Sequence, residues 1–210
     1  ALAEKGVIVT RRQERRLNDY RAEIIKVNGD KTLFATVFKQ NDTIKYPALA
    51  ETLKRISKKG KNEFYKGKTA KILVQYLQQK GAIITRKDLA KYEAKWRTPL
   101  TFNYKDLKII SMPPPSSGGI CLAEIMKMIA SYDLAKMGHN SAEAIQIIVE
   151  AERRAYADRS YYLGDPDFVK IPLKALMDDA YLKQRMSNFS FEKATLSSEI
   201  KEGKVNYNES

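Results

Sequence analysis

The sequence predicts a helix-rich α+β chain in which one β-hairpin leads into a central helix. Three observations carry this expectation. Apolar residues recur at helical spacing through most of the 210 residues, and Gly or Asn-Gly stops fall where those patterns end. Two runs around Tyr104-Lys105-Asp106, 95–103 and 107–112, have the composition of paired strands. The second run passes through Pro113, Pro114, Pro115, Ser116, Ser117, Gly118 and Gly119 into an apolar stretch that ends near Tyr132.

That joint organises the rest. Leu107, Ile109 and Ser111 alternate with Lys108, Ile110 and Met112, which suits a mostly buried strand. Three prolines fix φ near −65° and predict an extended, polyproline-like elbow. Ser116 or Ser117 can cap the helix with its hydroxyl. Two glycines in a first helical turn cost about 1 kcal/mol each against Ala, which makes sense where another backbone passes close by or φ is positive.

Taken in order, Ala1–Lys5 has the pattern of a helix end with Gly6 as its stop, and Val7–Val9 is a short apolar run. Thr10 can cap a helix through Val27, with Leu17, Tyr20 and Ile24 inward; Asn28-Gly29-Asp30 is a turn, and Leu33–Phe38 alternates loosely as a short extended piece. Pro47 sits early in a helix that ends at Gly60, with Leu49, Leu53 and Ile56 on one face. A short turn over 62–65 precedes a helix over 68–80 with Ile72, Leu73, Tyr76 and Leu77 inward and Gly81 as its stop. Thr85–Asp88 is a capping-box-like start for a helix ending near Tyr92. Gly138-His139-Asn140 breaks the central helical pattern, Ser141 caps a long helix through about Arg159, Leu163–Asp167 is a turn, and Pro172 opens a last helix to about Met186. Residues 188–210 are polar and predict a tail draped over other structure.

Composition sets further bounds. Hydrophobic content of 43% and charged content of 30% describe a globular chain long enough for a sizeable core. No apolar run approaches the ~20 residues that span a bilayer. The single cysteine, Cys121, excludes an intramolecular disulfide and has the place of a core residue. The net charge of +13 raises nucleic-acid binding, with Arg11, Arg12, Arg15 and Arg16 in one cluster and Lys58, Lys59, Lys61, Lys66, Lys68 and Lys71 in another. Both clusters lie on amphipathic helices or their joints without a zinc, RNP or helix-turn-helix signature, so a solvated face, or one shaped for an acidic partner, is the better expectation.

Candidate chemistry is sparse. The Ser116–Gly119 helix start could cradle an anion, but it lacks the Lys and the spacing of a phosphate loop. Glu150, Arg154 and Asp158 fall at i, i+4 and i+8 on one helix, a ladder in which the central Arg would hold both carboxylates ionised. That favours structure over proton transfer, and Arg153, Arg159 and Asp165 could extend the ladder and pin the LGDPD turn. His139 is the one histidine, in a loop, and no His, Cys or carboxylate cluster has metal-ligand spacing. No residue is assigned a catalytic, substrate-binding or metal role.

Several stretches, in order, resemble the large subunit of gamma-glutamyltranspeptidase: ALAEKGVIVT, YPALAETLKRI, FYKGKTAKILVQYLQQKGAIITRKDLAKYEA, PPPSSGG, SAEAIQIIVEAERRAYADRSYYLGDPDFVKIP and the final YNES. The resemblance implies part of an N-terminal nucleophile hydrolase αββα sandwich, with 1–210 as one partial domain and 188–210 close to the family's self-cleavage point. It implies transfer or hydrolysis of γ-glutamyl groups of glutathione and related amides, without a cofactor. The nucleophile is then a threonine just beyond Ser210, on a small subunit of the same precursor, whose α-amine serves as base. The carboxylate-gripping arginine of the family is expected upstream of Ala1. This chain is then mainly structural and inactive alone, inserts in no membrane, binds no nucleic acid, and works in the periplasm or outside the cell. A related acylase acting on cephalosporin side chains or polyglutamate, and a basic nucleic-acid-binding module, are the alternatives.

Overall fold

The computed structural model describes residues 1–205, and the chain forms two compact units, Ala1–Ala94 and Lys95–Ser210. The YNES motif lies outside the described residues.

In the first unit, α1 (Leu2–Lys5) stops at Gly6, whose φ is +99°. A Cβ there would lie 2.4 Å from Thr43 Cγ2, because β1 (Val7–Ile8) leaves the turn already paired with β2 (Thr43–Ile44), antiparallel with Val7 opposite Ile44. Thr10 caps α2 (Arg11–Asp19) through a capping box with Gln13. The single helix expected through Val27 is instead two, because the chain breaks at Tyr20 before α3 (Arg21–Asn28). The cause is a tertiary tie at the end of α2. Asn18 donates to Phe38 O at 2.8 Å and accepts from Phe38 N at 3.1 Å, which holds the returning chain against that helix end. The extended piece expected from Leu33 begins instead as a 3-10 turn, Leu33–Ala35. Val9, Phe38 and Ile44 form the buried cluster of this part.

α4 (Pro47–Lys59), α5 (Lys61–Tyr65), α6 (Lys68–Gln79) and α7 (Arg86–Lys91) follow, with Pro47 at the first turn, Gly60 between the first two and a Thr85–Asp88 capping box before the last. Their inward faces differ in part from the expected ones: Ala50, Ala70 and Val74 are buried and Ile56, Leu73 and Leu77 half-buried, while Leu49, Leu53, Ile72 and Tyr76 are about half exposed. A buried carboxylate, Glu63, ties these helices together. Glu63 Oε1 accepts from Arg55 Nε at 3.1 Å and from the Thr69 backbone N–H and hydroxyl at 3.2 Å each. Burial pushes the Glu63 carboxyl up, but these donors and Lys59 outweigh it and leave its pKa below the ordinary value.

In the second unit, β3 (Leu100–Tyr104) and β4 (Leu107–Ser111) form the expected antiparallel hairpin, turning at Lys105 with φ +52° and pairing Tyr104 with Leu107. The strand expected to be mostly buried is the more open of the two. Leu100 and Phe102 of β3 are buried, whereas Leu107 and Ile110 of β4 are exposed, because β3 lies closer to the helix that follows.

The prolines do not hold the chain extended. Pro113–Ser116 is a turn, closed by the Ser116 N–H to Pro113 O at 3.1 Å, with Pro114 and Pro115 joined by a cis bond at its centre. The turn delivers the chain into α8 (Gly118–Ile129), and the Met112 carbonyl ends over its first turn. A Cβ on Gly119 would sit 2.3 Å from Met112 O, the close backbone passage that the glycine pair suggests. Gly118 has no such constraint; its nearest atom is Ser116 Oγ at 3.7 Å. Ser117 is the N-cap residue, yet its hydroxyl does not cap; it accepts from Arg159 Nε at 2.9 Å.

α9 (Leu134–Met137) precedes the Gly138 stop, and the Ser141 hydroxyl caps α10 (Ala142–Tyr162) by accepting from Ala144 N at 3.1 Å. The last expected helix is two shorter ones, α11 (Leu173–Leu176) and α12 (Asp179–Arg185), the second capped by Asp178. α8 and α10 are the main packed pair. Ala151 and Ala155 of α10 are fully buried and permit close approach, and Ile120, Ile147, Leu176 and Leu182 complete the core.

Candidate functional site

The charged residues of α10 form the most organised polar cluster of the second unit. Helical spacing puts Ile147, Glu150, Ala151, Arg154, Ala155 and Asp158 on the buried side, so three charges enter the core with the aliphatic contacts. Glu150 and Arg154 are 2% exposed and Asp158 is 0% exposed, so each must find partners or carry a large desolvation cost.

They find them on the chain that follows. Arg154 uses all five N–H donors. Nη1 donates to both the carbonyl and the carboxylate of its own Glu150, and Nε donates to Arg185 O at 2.8 Å. Nη2 donates to Asn188 Oδ1 at 2.7 Å and Thr195 Oγ1 at 3.2 Å. Glu150 Oε1 accepts from the Thr195 backbone N–H at 3.0 Å and from Arg153 Nη1 at 2.8 Å, and Arg153 also reaches Ser197 Oγ. Burial pushes the Glu150 carboxyl up, yet the hydrogen bonds from Arg154 and Thr195 outweigh it, so its pKa lies below the ordinary value.

Asp158 accepts the Tyr181 hydroxyl at 2.6 Å and the Gly203 backbone N–H at 2.7 Å. Burial, and the Asp158 carboxylate that its hydroxyl faces, push the Tyr181 phenol well above its usual range. The counter-charge is Arg185, with Nε 3.1 Å from Oδ2 and Nη2 3.0 Å from Oδ1. The alternating ladder is therefore corrected: Arg154 serves Glu150 alone, and Asp158 draws its cation from α12. Through this network α10 bonds to Asn188, Thr195, Ser197 and Gly203 of the polar stretch after α12.

The remaining sequence candidates lie apart. Asp165 does not extend the ladder; its Oδ1 accepts the Asp167 N–H at 3.0 Å within the LGDPD turn. The turn is pinned from the start of the unit, by Lys95 at 2.8 Å and Arg97 at 2.9 Å from Asp167 Oδ2, and the Lys95 hydrogen bond leads the lowering of the Asp167 pKa. Arg159 points to Ser117. Pro114 is buried in its turn, and the Ser116 hydroxyl lies 3.4 Å from the Gly118 N–H. His139 is exposed in its loop. Arg11, Arg12, Arg15 and Arg16 are exposed on α2. Among the described residues, no group of three or more His, Cys, Asp or Glu could hold a metal ion, and no helix is long and apolar enough to cross a membrane.

Three functional-type residues escaped the sequence reading. Arg185 and Tyr181, four apart on α12, present one face to Asp158. Glu124 is a carboxylate in the middle of the apolar face of α8, between Ile120 and Met128, and is 1% exposed with Oε2 unpartnered among the described residues. Burial, reinforced by the nearby Asp158 and opposed by Arg185, raises its pKa to about 9. Its neighbour Cys121 is raised to about 11, first by burial and then by Glu124.

This architecture is helix-rich α+β, with one hairpin feeding a buried helix pair. The crystal structure of Helicobacter pylori gamma-glutamyltranspeptidase superposes on all of this chain with a TM-score of 0.88 at 37% identity, and the chain covers 61% of that structure. The sequence matches the gamma-glutamyltranspeptidase family model over residues 1–210, and the chain belongs to that family. It is 43% identical over 208 residues to the glutathione hydrolase proenzyme of Escherichia coli K12, across 97% of this chain and 36% of that protein. It is 32% identical to an acylase ACY 1 proenzyme of a Pseudomonas species, across 92% of this chain and 35% of that protein. The chain thus spans about a third of the length of the curated relatives it matches.

Proposed function

We propose that this chain is a structural segment of an enzyme that transfers or hydrolyses the γ-glutamyl group of glutathione and related amides. The attacking group on this reading is the N-terminal threonine of a small subunit cut from the same precursor, with its α-amine as base and no cofactor. The observation that carries it is the match along the whole chain to a family whose curated relatives include glutathione hydrolase proenzymes.

The local chemistry supports a supporting role. Glu150 is held as a carboxylate by Arg154 and Thr195, and Asp158 is saturated by Arg185, Tyr181 and Gly203, so neither is poised to move a proton to a substrate. We place the complete enzyme in the periplasm or outside the cell, with the γ-glutamyl compound as its small-molecule partner and no nucleic acid.

The test is to express the precursor that contains this chain and follow it by SDS gel and by release of the coloured aniline from a chromogenic γ-glutamyl anilide. Two bands with aniline release are expected, and no release from this chain alone. The Pseudomonas acylase relative favours one second reading, an acylase for cephalosporin side chains or polyglutamate. A folded, cleaved enzyme inert toward γ-glutamyl anilide but active on those amides would establish it instead.

A further inference from the structure

We infer that the α10 network is a maturation clamp, in which Asp158 and Glu150 are positioning residues that hold the segment leading to the precursor's cleavage point. The inference rests on the function proposed above, under which the bond to be cut lies shortly after this segment. That cut consumes one water. The threonine hydroxyl attacks the preceding carbonyl, and hydrolysis leaves a carboxylate on this chain's side and a free α-amine on the threonine, whose hydroxyl is restored.

Three features separate a clamp from generic core packing. Each buried carboxylate spends an oxygen on a backbone N–H far along the chain, Glu150 on Thr195 and Asp158 on Gly203, so it fixes the path of the main chain whatever its side chains. Gly203 is held at both polar groups, since its carbonyl accepts the Tyr162 hydroxyl at 2.6 Å. Finally, the apolar anchors of the segment, Phe189 and Val205, lie at its two ends, and between them Leu196, Ser197, Ser198, Lys201 and Glu202 are all exposed, so hydrogen bonds set the path of the middle. A buried ionic network contributes little net stability over an apolar one of equal volume, and its known use is to specify one arrangement.

Gly203 gives a variant that leaves every charge of the network in place. A Cβ there would meet Tyr181 Oη at 2.3 Å and Arg185 Cδ at 2.6 Å, and both side chains are themselves bonded to Asp158. Gly203→Ala must therefore displace either the segment or the Tyr181 and Arg185 side chains that tie Asp158 to it, and either movement loosens the clamp.

The experiment compares wild-type, Asp158→Asn and Gly203→Ala precursors, timing self-cleavage by SDS gel. In parallel, each substitution is placed in a heterodimer assembled from separately expressed chains, the small one already beginning at threonine. A clamp predicts precursor cleavage slowed about tenfold or more, the scale expected of an ångström-level misplacement, with kcat on γ-glutamyl anilide unchanged in the preassembled enzyme. Wild-type cleavage rate in a folded Gly203→Ala precursor overturns the clamp, as does a parallel fall of cleavage and preassembled kcat. Should Asp158→Asn precursor aggregate, Gly203→Ala decides alone. Failure of the wild-type precursor to cleave itself would instead overturn the proposed function.

Discussion

Arg185 meets Asp158 as a fork, with Nε 3.1 Å from one carboxylate oxygen and Nη2 3.0 Å from the other. The Asp158 side chain is 0% exposed and that of Arg185 13% exposed, so water screens the pair little. Such a pair is worth little against an apolar replacement but costs much when one member is removed, because the other charge is left buried. Arg185→Met should destabilise the second unit by about 3 kcal/mol, the lower end of the usual range because Tyr181 and Gly203 still donate to Asp158. Removing both charges in Asp158→Leu/Arg185→Met should cost less than the sum of the single variants. Urea unfolding of the four proteins measures this, and strict additivity would show that the fork is not coupled.

Glu150 gives the acid limb. Its folded pKa lies below the ordinary 4.5, so folding favours its ionised form. The resulting stability is present above pH 4.5 and is lost as pH falls through the folded value. Glu150→Gln should be less stable than wild type at pH 7, and the gap should narrow steadily below pH 4.5, as both states of the wild type become protonated. Thermal melts at stepped pH follow the difference; a gap that stays constant down to pH 2 would place the acid sensitivity elsewhere.

Much of this arrangement is legible locally, and what is not depends on distant pairing. The caps at Thr10, Thr85 and Ser141 and the hairpin around Lys105 are set by neighbours in sequence, and the chain forms them as expected. The break at Tyr20 is invisible to helix periodicity, because its cause is Asn18 bonding Phe38, twenty residues on. The same holds for the site. Spacing on α10 assigns Arg154 to both carboxylates, whereas in space α12 brings Arg185 to the second. The proline run has the composition of an extended elbow, but the chain must reverse there to bring Met112 over Gly119.

Glu124 predicts the opposite pH behaviour to Glu150. Its Oε2 has no partner among the described residues, and its surroundings are Asp158 on α10, Arg185 on α12 and Cys121 on its own helix. With a folded pKa of about 9 against 4.5 unfolded, the native state keeps a proton that the unfolded chain gives up between those values. Stability therefore falls as pH rises across that window. Glu124→Met, close in volume and apolar, should stabilise the unit by about 1–3 kcal/mol near pH 7. Its advantage over wild type should grow from pH 5 to pH 9. A pH-independent difference between the two proteins would show that the carboxyl is not held neutral.

The two glycines at the start of α8 should respond in opposite senses to the same substitution. Both occupy the first turn of a helix whose φ values suit any residue, so neither is required for backbone conformation. At Gly118 the nearest atom to a new Cβ is 3.7 Å away, ordinary van der Waals contact. Gly118→Ala should therefore gain the helix preference of Ala, up to about 1 kcal/mol. At Gly119 the Cβ would stand 2.3 Å from the Met112 carbonyl and 3.2 Å from Leu100 Cδ2. The first of these is backbone, held where the proline turn places it, so no rotamer change relieves the clash. Gly119→Ala must push α8 away from β3 and β4, opening the contact that buries Leu100, and should cost about 1–3 kcal/mol or more. Paired urea titrations give both signs directly. If Gly119→Ala proves as stable as Gly118→Ala, the joint between hairpin and helix is not packed backbone to backbone.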